Sequence, residues 1–225
     1  MTATWAIVVA GGEGSRLGAD RPKAFVRLAG RPLLAYAIDL LDDHPAVDRV
    51  VLVVPDEWEE QATFLADQLA AGKVVAAVRG GDTRALSVAA GLAEVPGDAG
   101  AVLVHDAARP FASAGLVDRL LEALAGNDGA VPCVPVTDTV KRVRDGRVVE
   151  TPARAEMHAV QTPQVFRTEA LRAAFAPPPA EWREATDCAS MVEAAGFAVA
   201  AVDGDPGNVK VTTADDLARA EERLR

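Results

Sequence analysis

The chain has 225 residues, 50% of them apolar, and a formal net charge of −10 at pH 7. That is enough apolar material for a full core, so one α/β domain over 1–225 is expected, and the scattered acidic excess argues against a nucleic-acid binder, which needs a basic face. No apolar run reaches the roughly 18 residues of a membrane span, and the start MTATWAIVVAGG lacks the basic opening and cleavage site of a secretory signal, so a cytoplasmic protein is expected.

The first element is a strand. Trp5 to Val9 is a short, β-branched apolar run that stops at Gly11, Gly12 and Gly14, so it feeds a loop rather than a helix. Glycine lets successive backbone N–H groups turn toward one point, which suits a polyphosphate, and Arg16, Arg21 and Lys23 add cations. The spacing supplies neither the G-x-x-x-x-G-K-[ST] phosphate loop nor the G-x-G-x-x-G dinucleotide fingerprint. Pro22 fixes its own φ and biases Arg21 to extended backbone, which stiffens the presentation of Lys23. Of 23 basic residues only Lys23, Lys73, Lys141 and Lys210 are lysine. Lysine at position 23 therefore points to a compact ammonium following a phosphoryl oxygen, over a solvated surface cation.

From Pro32 to Asp43, apolar residues recur with helical period, with proline in the first turn. A strand follows at Arg49–Val54, a helix at Glu57–Ala71 and a strand at Val74–Val78. RGGDTRALSV then supplies a second glycine turn, with Asp82 as the expected cap of the next helix. Such alternation implies a mostly parallel sheet with ligands beyond the carboxyl ends of its strands. The strand Gly100–His105 runs into Asp106. An Asp after a strand is commonly a turn former, but opposite a polyphosphate loop it can supply the carboxylate that a Mg²⁺-nucleotide shares with phosphate oxygens. His105 reads as a strand-end histidine, because none of the three histidines has a partner at metal-ligand spacing. Cys133 and Cys188 read as reduced structural thiols.

Ala114–Leu124 is helical in period and Gly129–Val134 is a strand. Then Thr139–Arg144 and Arg147–Thr151 flank Asp145-Gly146, a strong two-residue hairpin turn. This hairpin is charged on both limbs, with little apolar face, and reads as a projecting arm over 137–157 that rests on a partner subunit. Val160–Phe166 is a strand interrupted by Pro163. A loop with Pro177–Pro179, a helix Thr186–Ala195 and a strand Ala198–Val202 follow, and Lys210 precedes a last helix from Ala214 capped by Thr213.

Seven segments together resemble one family: AGGEGSRLG with RPKAF, GGDTRALSV, VHDAARPF, PVTDTVKR, AVQTPQVF, ATDCASMVE and GNVKVTTADDL. They are similar to the cytidylyltransferases that act on 2-C-methyl-D-erythritol 4-phosphate in the non-mevalonate isoprenoid pathway, over the whole length. The resemblance implies a Rossmann-like nucleotidyltransferase fold with helices on both faces of the sheet. It also implies a homodimer clasped by the hairpin arm, and Mg²⁺-dependent transfer of CMP from CTP with release of pyrophosphate. By the same resemblance, Arg16 and Lys23 look like transition-state stabilisers, Arg154 and Lys210 position the methylerythritol phosphate, and Asp106 is the metal and substrate carboxylate. Ala10, Gly11, Gly12, Gly14, Gly81, Asp82, Ser87 and Asp106 resemble the CTP contacts; Arg109 and Thr139 resemble further substrate contacts.

The chain departs from the family pattern at Gly11, at Ala24 and at Met157-His158. A fused cyclodiphosphate synthase, carried by some members, is not expected within these 225 residues. A cytidylyltransferase for another polyol phosphate, such as ribitol 5-phosphate, shares most of these motifs and stays open as the alternative. A CTP sensor without transfer fits less well, because Arg16, Lys23 and Lys210 are all present.

Overall fold

The computed structural model describes residues 2–12, 20–176, 182 and 185–225. In chain order come β1 (Thr4–Val9), a 3₁₀ turn at Lys23–Phe25, the short strands β2 (Arg27–Leu28) and β3 (Arg31–Pro32), α1 (Leu33–Asp43) and β4 (Arg49–Val54). Next are α2 (Glu59–Gln68), β5 (Val74–Arg79), α3 (Arg84–Ala93), β6 (Ala101–Asp106), α4 (Ala114–Ala123) and β7 (Gly129–Pro135). The last part holds β8 (Arg142–Arg144), β9 (Arg147–Glu150), β10 (His158–Val160), β11 (Gln164–Arg167), α5 (Thr168–Ala174), α6 (Cys188–Ala194), β12 (Val199–Asp203) and α7 (Ala214–Arg223).

Eight strands form the central sheet in the order β10-β7-β11-β6-β1-β4-β5, with β12 on β7. β1 pairs in parallel with β4 on one side and β6 on the other, and β4 pairs in parallel with β5. Only β10 and β11 run against their neighbours. Side chains alternate between the two faces, as the period of a strand requires. Ala6 and Val8 pack with Leu34, Ile38 and Leu41 of α1 and Leu116 and Leu120 of α4, whereas Ile7 packs with Val88 and Leu92 of α3 and Leu171 of α5. Helices thus cover both faces, and β1 and β6 are buried enough to read as continuous apolar runs.

Several expectations shift at their ends. Pro32 stands as the N-cap of α1 rather than inside its first turn. Helix α2 begins after Glu57, whose φ of 67° lies in the left-handed region and cannot open a helix. The interrupted strand Val160–Phe166 is two strands, β10 and β11, around the cis Thr162–Pro163 bond. Helix α5 is not among the expected elements; it buries Thr168, Ala170, Leu171 and Ala174, and no capping side chain marks its start.

Asp145 and Gly146 take φ values of 49° and 72°, the pair of positive angles that a tight hairpin turn requires. The arm they close, β8 with β9, is a two-stranded sheet separate from the central one, and every residue in it is exposed. Its polarity was overstated: Val143, Val148 and Val149 stand 57%, 61% and 53% exposed, joined by Val160 at 42%. No helix among the described residues is long and apolar enough to cross a membrane.

Candidate active site

The parallel strands β1, β4, β5 and β6 end at one edge, and the strand order reverses at β1, with β4 and β5 on one side of it and β6 on the other. The crevice outside such a reversal is where open α/β sheets hold ligands. Here it is a cavity of about 630 Å³, walled by Ala10, Gly11 and Gly12 after β1, by Gly80, Gly81 and Asp82 after β5, and by Asp106 at the end of β6.

The two glycine turns meet over Ser87, which is buried in α3. Its hydroxyl accepts from the Gly81 N–H at 3.2 Å and lies 3.0 Å from the Thr83 carbonyl, to which it donates. A Cβ at Gly80 would lie 2.8 Å from Ser87 Oγ, and one at Gly81 would lie 2.4 Å from Leu86 Cβ. Neither position can carry a side chain, so the turn shows its backbone to the cavity. The cap of α3 is Thr83, whose side chain accepts from Leu86 N, not Asp82. The competition went to the residue placed three before the free N–H, and Asp82 is left exposed at the cavity wall.

Across the cavity, the Lys23 N–H donates to the Gly12 carbonyl at 3.1 Å, joining the two ends of the first loop. The 3₁₀ turn it opens is anchored by the buried Phe25, whose ring lies 4.5 Å from that of Trp58. Pro22 before it takes φ −56°, the value that its ring fixes, as expected, with ψ 144°. Arg16 and Gly14 lie outside the described residues.

Asp106 is the carboxylate at the floor. Its Oδ1 accepts from Arg84 Nε at 3.0 Å and its Oδ2 from Lys210 Nζ at 2.7 Å. Burial alone would raise its pKa, but the Arg84 and Lys210 charges hold it well below the ordinary carboxylate range. The Asp106 N–H donates to Thr162 Oγ1 at 3.0 Å, which lies 3.1 Å from His105 Nδ1. His105 is fully buried, and burial pushes its pKa down to about 4, so it is neutral and structural, as expected.

Lys210 reaches Asp106 because the segment before α7 is clasped. Asn208, fully buried, donates to the Thr162 carbonyl at 2.9 Å, Gln161 Nε2 donates to the Asp205 carbonyl at 2.7 Å, and Val211 N–H donates to the Ala108 carbonyl at 2.8 Å. Arg109 belongs to this clasp: its Nη1 donates to the Asn208 carbonyl at 2.7 Å. Thr213 and Asp216 close the segment with a capping box.

The cavity therefore gathers Ala10, Gly11, Gly12, Lys23, Gly81, Asp82, Ser87, Asp106 and Lys210. Three further residues do not line it. Arg109 sits behind the clasp, Thr139 is exposed near the arm, and Arg154 is exposed in a 3₁₀ turn with its Nη1 donating to the Thr137 carbonyl at 2.9 Å.

A model of the 2-C-methyl-D-erythritol 4-phosphate cytidylyltransferases (IspD) matches residues 4–225. The chain belongs to this family. It is 47% identical over 221 residues to the 2-C-methyl-D-erythritol 4-phosphate cytidylyltransferase of Nocardia farcinica, covering 97% of this chain and 93% of that one. It is 42% identical to a bifunctional IspD/IspF enzyme of Oleidesulfovibrio alaskensis, of which it spans 56%. The crystal structure of 4-diphosphocytidyl-2C-methyl-D-erythritol synthase from Anaerococcus prevotii superposes with a TM-score of 0.87 at 29% identity, covering 99% of this chain and 98% of that one.

Within this IspD frame, Arg84 lines the cavity and went unassigned from sequence. Arg84 directly follows the helix cap and lies inside the segment GGDTRALSV, but a lone arginine in a helix's first turn gives no sign that its fork reaches a carboxylate 22 residues on. Metal fit follows from the donor set. Among the described residues no three His, Cys, Asp or Glu side chains cluster as a protein-only cage. A single ionised Asp106 beside a phosphate site suits Mg²⁺, which takes one or two carboxylates and fills its shell with phosphate oxygens and water.

Proposed function

We propose that this cavity transfers the cytidylyl group of CTP to 2-C-methyl-D-erythritol 4-phosphate, giving 4-diphosphocytidyl-2-C-methyl-D-erythritol and pyrophosphate. The supporting observation is the ionised carboxylate of Asp106, bridged by Arg84 and Lys210 and facing Lys23 and two bare glycine turns, in a chain of the IspD family. A phosphate monoester has a second pKa near about 6, so at neutral pH the acceptor is already a nucleophile and no general base is needed. One of its oxygens attacks the α-phosphorus of CTP; that P–O bond forms as the bond to the β-phosphate oxygen breaks, and pyrophosphate leaves with the electron pair. The protein's work is then to hold two anions in line and neutralise charge at the α-phosphoryl group.

Lys23 serves the α-phosphoryl charge, and Arg16 is assigned the same task from the family pattern. The backbone of Ala10, Gly11, Gly12 and Gly81, with Asp82 and Ser87, receives the nucleotide, and Lys210 receives the phosphate of the acceptor. Asp106 would hold Mg²⁺, which when bound supplies positive charge to the phosphoryl oxygens. The arm over 137–157 brings Thr139 and Arg154 to the cavity of a second subunit in a homodimer, with Arg109 steadying the segment behind Lys210. Four exposed valines on the arm and β10 support a partner, because they stand 42–61% exposed among the described residues. Free thiols at Cys133 and Cys188 agree with a cytoplasmic setting.

The test is pyrophosphate release with each nucleoside triphosphate, with and without Mg²⁺, against a panel of polyol and sugar phosphates. Release is expected only with CTP, methylerythritol phosphate and divalent metal together. Equal turnover of ribitol 5-phosphate contradicts the assignment of the acceptor.

A further inference from the structure

The two cations on Asp106 are held very differently. Arg84 stands in the first turn of α3 with its side chain 23% exposed, and its Nη1 lies 3.4 Å from the buried Cys188 Sγ of α6, so two helices fix it. Lys210 stands on the irregular segment before α7 with its side chain 40% exposed, lining the cavity. A third observation concerns the guanidinium itself. Arg84 Nη2 is buried and finds no acceptor among the described residues.

Nε and Nη2 are the donors on one edge of a guanidinium, the edge that takes a carboxylate side-on with two parallel bonds. Asp106 uses half of that edge. Its Oδ1 is on Nε, while Oδ2 is turned to Lys210 Nζ. A buried donor left idle on the guanidinium edge that Asp106 already uses, while the other carboxylate oxygen rests on a part-exposed lysine, amounts to a second seat for that oxygen.

We propose that Arg84 is a positioning residue for the transfer: when a substrate phosphate draws Lys210 away, Asp106 turns Oδ2 onto Arg84 Nη2 and becomes a bidentate pair with Arg84, released from Lys210. Lys210 then carries its full charge to the phosphate, and the buried carboxylate is never left without a counter-ion. No proton moves and no charge is created. The proposal rests on the role given above to Lys210 in holding the acceptor phosphate. Lysine at position 84 would keep the charge but lack the fork, so Asp106 would keep its hold on Lys210.

The side-chain ammonium groups of only four lysines give a ¹⁵N spectrum simple enough to follow Lys210, assigned by its loss in Lys210→Arg. In the wild type, adding CTP with Mg²⁺ and then methylerythritol phosphate should shift the Lys210 signal. In Arg84→Lys the shift should be lost, and KM for methylerythritol phosphate should rise about tenfold or more while kcat changes by less than about threefold. A merely structural role would lower the melting temperature and the active fraction and leave KM alone. An unmoved Lys210 signal in a wild type that releases pyrophosphate overturns the exchange, as does an Arg84→Lys enzyme of unchanged KM. If Arg84→Lys does not fold, the wild-type titration decides by itself. If the wild type releases no pyrophosphate under any of these conditions, the functional assignment falls and the exchange with it.

Discussion

A carboxylate closed in hydrocarbon takes up a proton, and one closed between two cations keeps its charge; Asp106 is in the second situation because Arg84 and Lys210 outweigh its burial. Its neighbour His105 is in the first, displaced toward the neutral form. An ordinary histidine in the unfolded chain protonates near about pH 6.5, whereas His105 in the fold resists until about pH 4. In that window the unfolded state binds more protons, so stability should fall as pH is lowered through it, by roughly 3 kcal/mol in all. Urea unfolding at a series of pH values measures this slope, and His105→Asn, which cannot titrate, should lose it. Lys23 is tested on rate. If its ammonium acts on charge that develops at the α-phosphoryl group, Lys23→Ala should lower kcat by about 10² or more with smaller changes in KM, and Lys23→Arg should also be impaired because a fork does not follow a point-charge path. Lys23 and Asp106 were legible from sequence because one follows a glycine-rich turn and the other ends a strand, whereas Lys210 was reached only through the family resemblance. Arg84 was not legible, since its partner is set by the packing of α3 over the sheet edge.

Among the elements, the helix-entry turn at 80–84 separates two tasks that look alike in sequence. Thr83 satisfies the free N–H of α3, and Asp82 faces the cavity. Thr83→Ala should therefore cost about 1 kcal/mol of stability, whereas Asp82→Ala should stay within about 0.5 kcal/mol and raise KM for CTP. Thermal unfolding and steady-state kinetics on the two variants distinguish cap from ligand. The segment before α7 makes a comparable case. Asn208→Ala would strip the buried Thr162 carbonyl of its donor, for a loss of about 1–3 kcal/mol, and should lower activity because Lys210 is carried on the same segment. Strands and long helices were readable from their periods. The clasp was not, because it joins residues 161–162 to 205–211, and no local pattern records a pairing over that distance. Helix α5 escaped because, unlike the equally short α6 with Asp187 at its N-cap, it has no capping side chain to mark its start.

On the scale of the whole molecule, alternation of strand and helix fixed a parallel sheet with its ligand edge, and the two glycine turns and Asp106 do meet there. What one chain leaves open is the arm. Its valines stay more than half exposed among the described residues, and Arg154, on the return from its second limb, does not line the cavity of its own chain. In the homodimer proposed above, a second copy supplies both the cover and the cavity, so that each site takes Lys23 from one subunit and Arg154 from the other. Co-refolding Lys23→Ala with Arg154→Ala tests this most directly, read as pyrophosphate released from CTP and methylerythritol phosphate. In a mixed dimer one site receives both lesions and the other neither; with random exchange about half the dimers are mixed, and about a quarter of wild-type activity should return. A mixture as inactive as either parent would contradict the shared site.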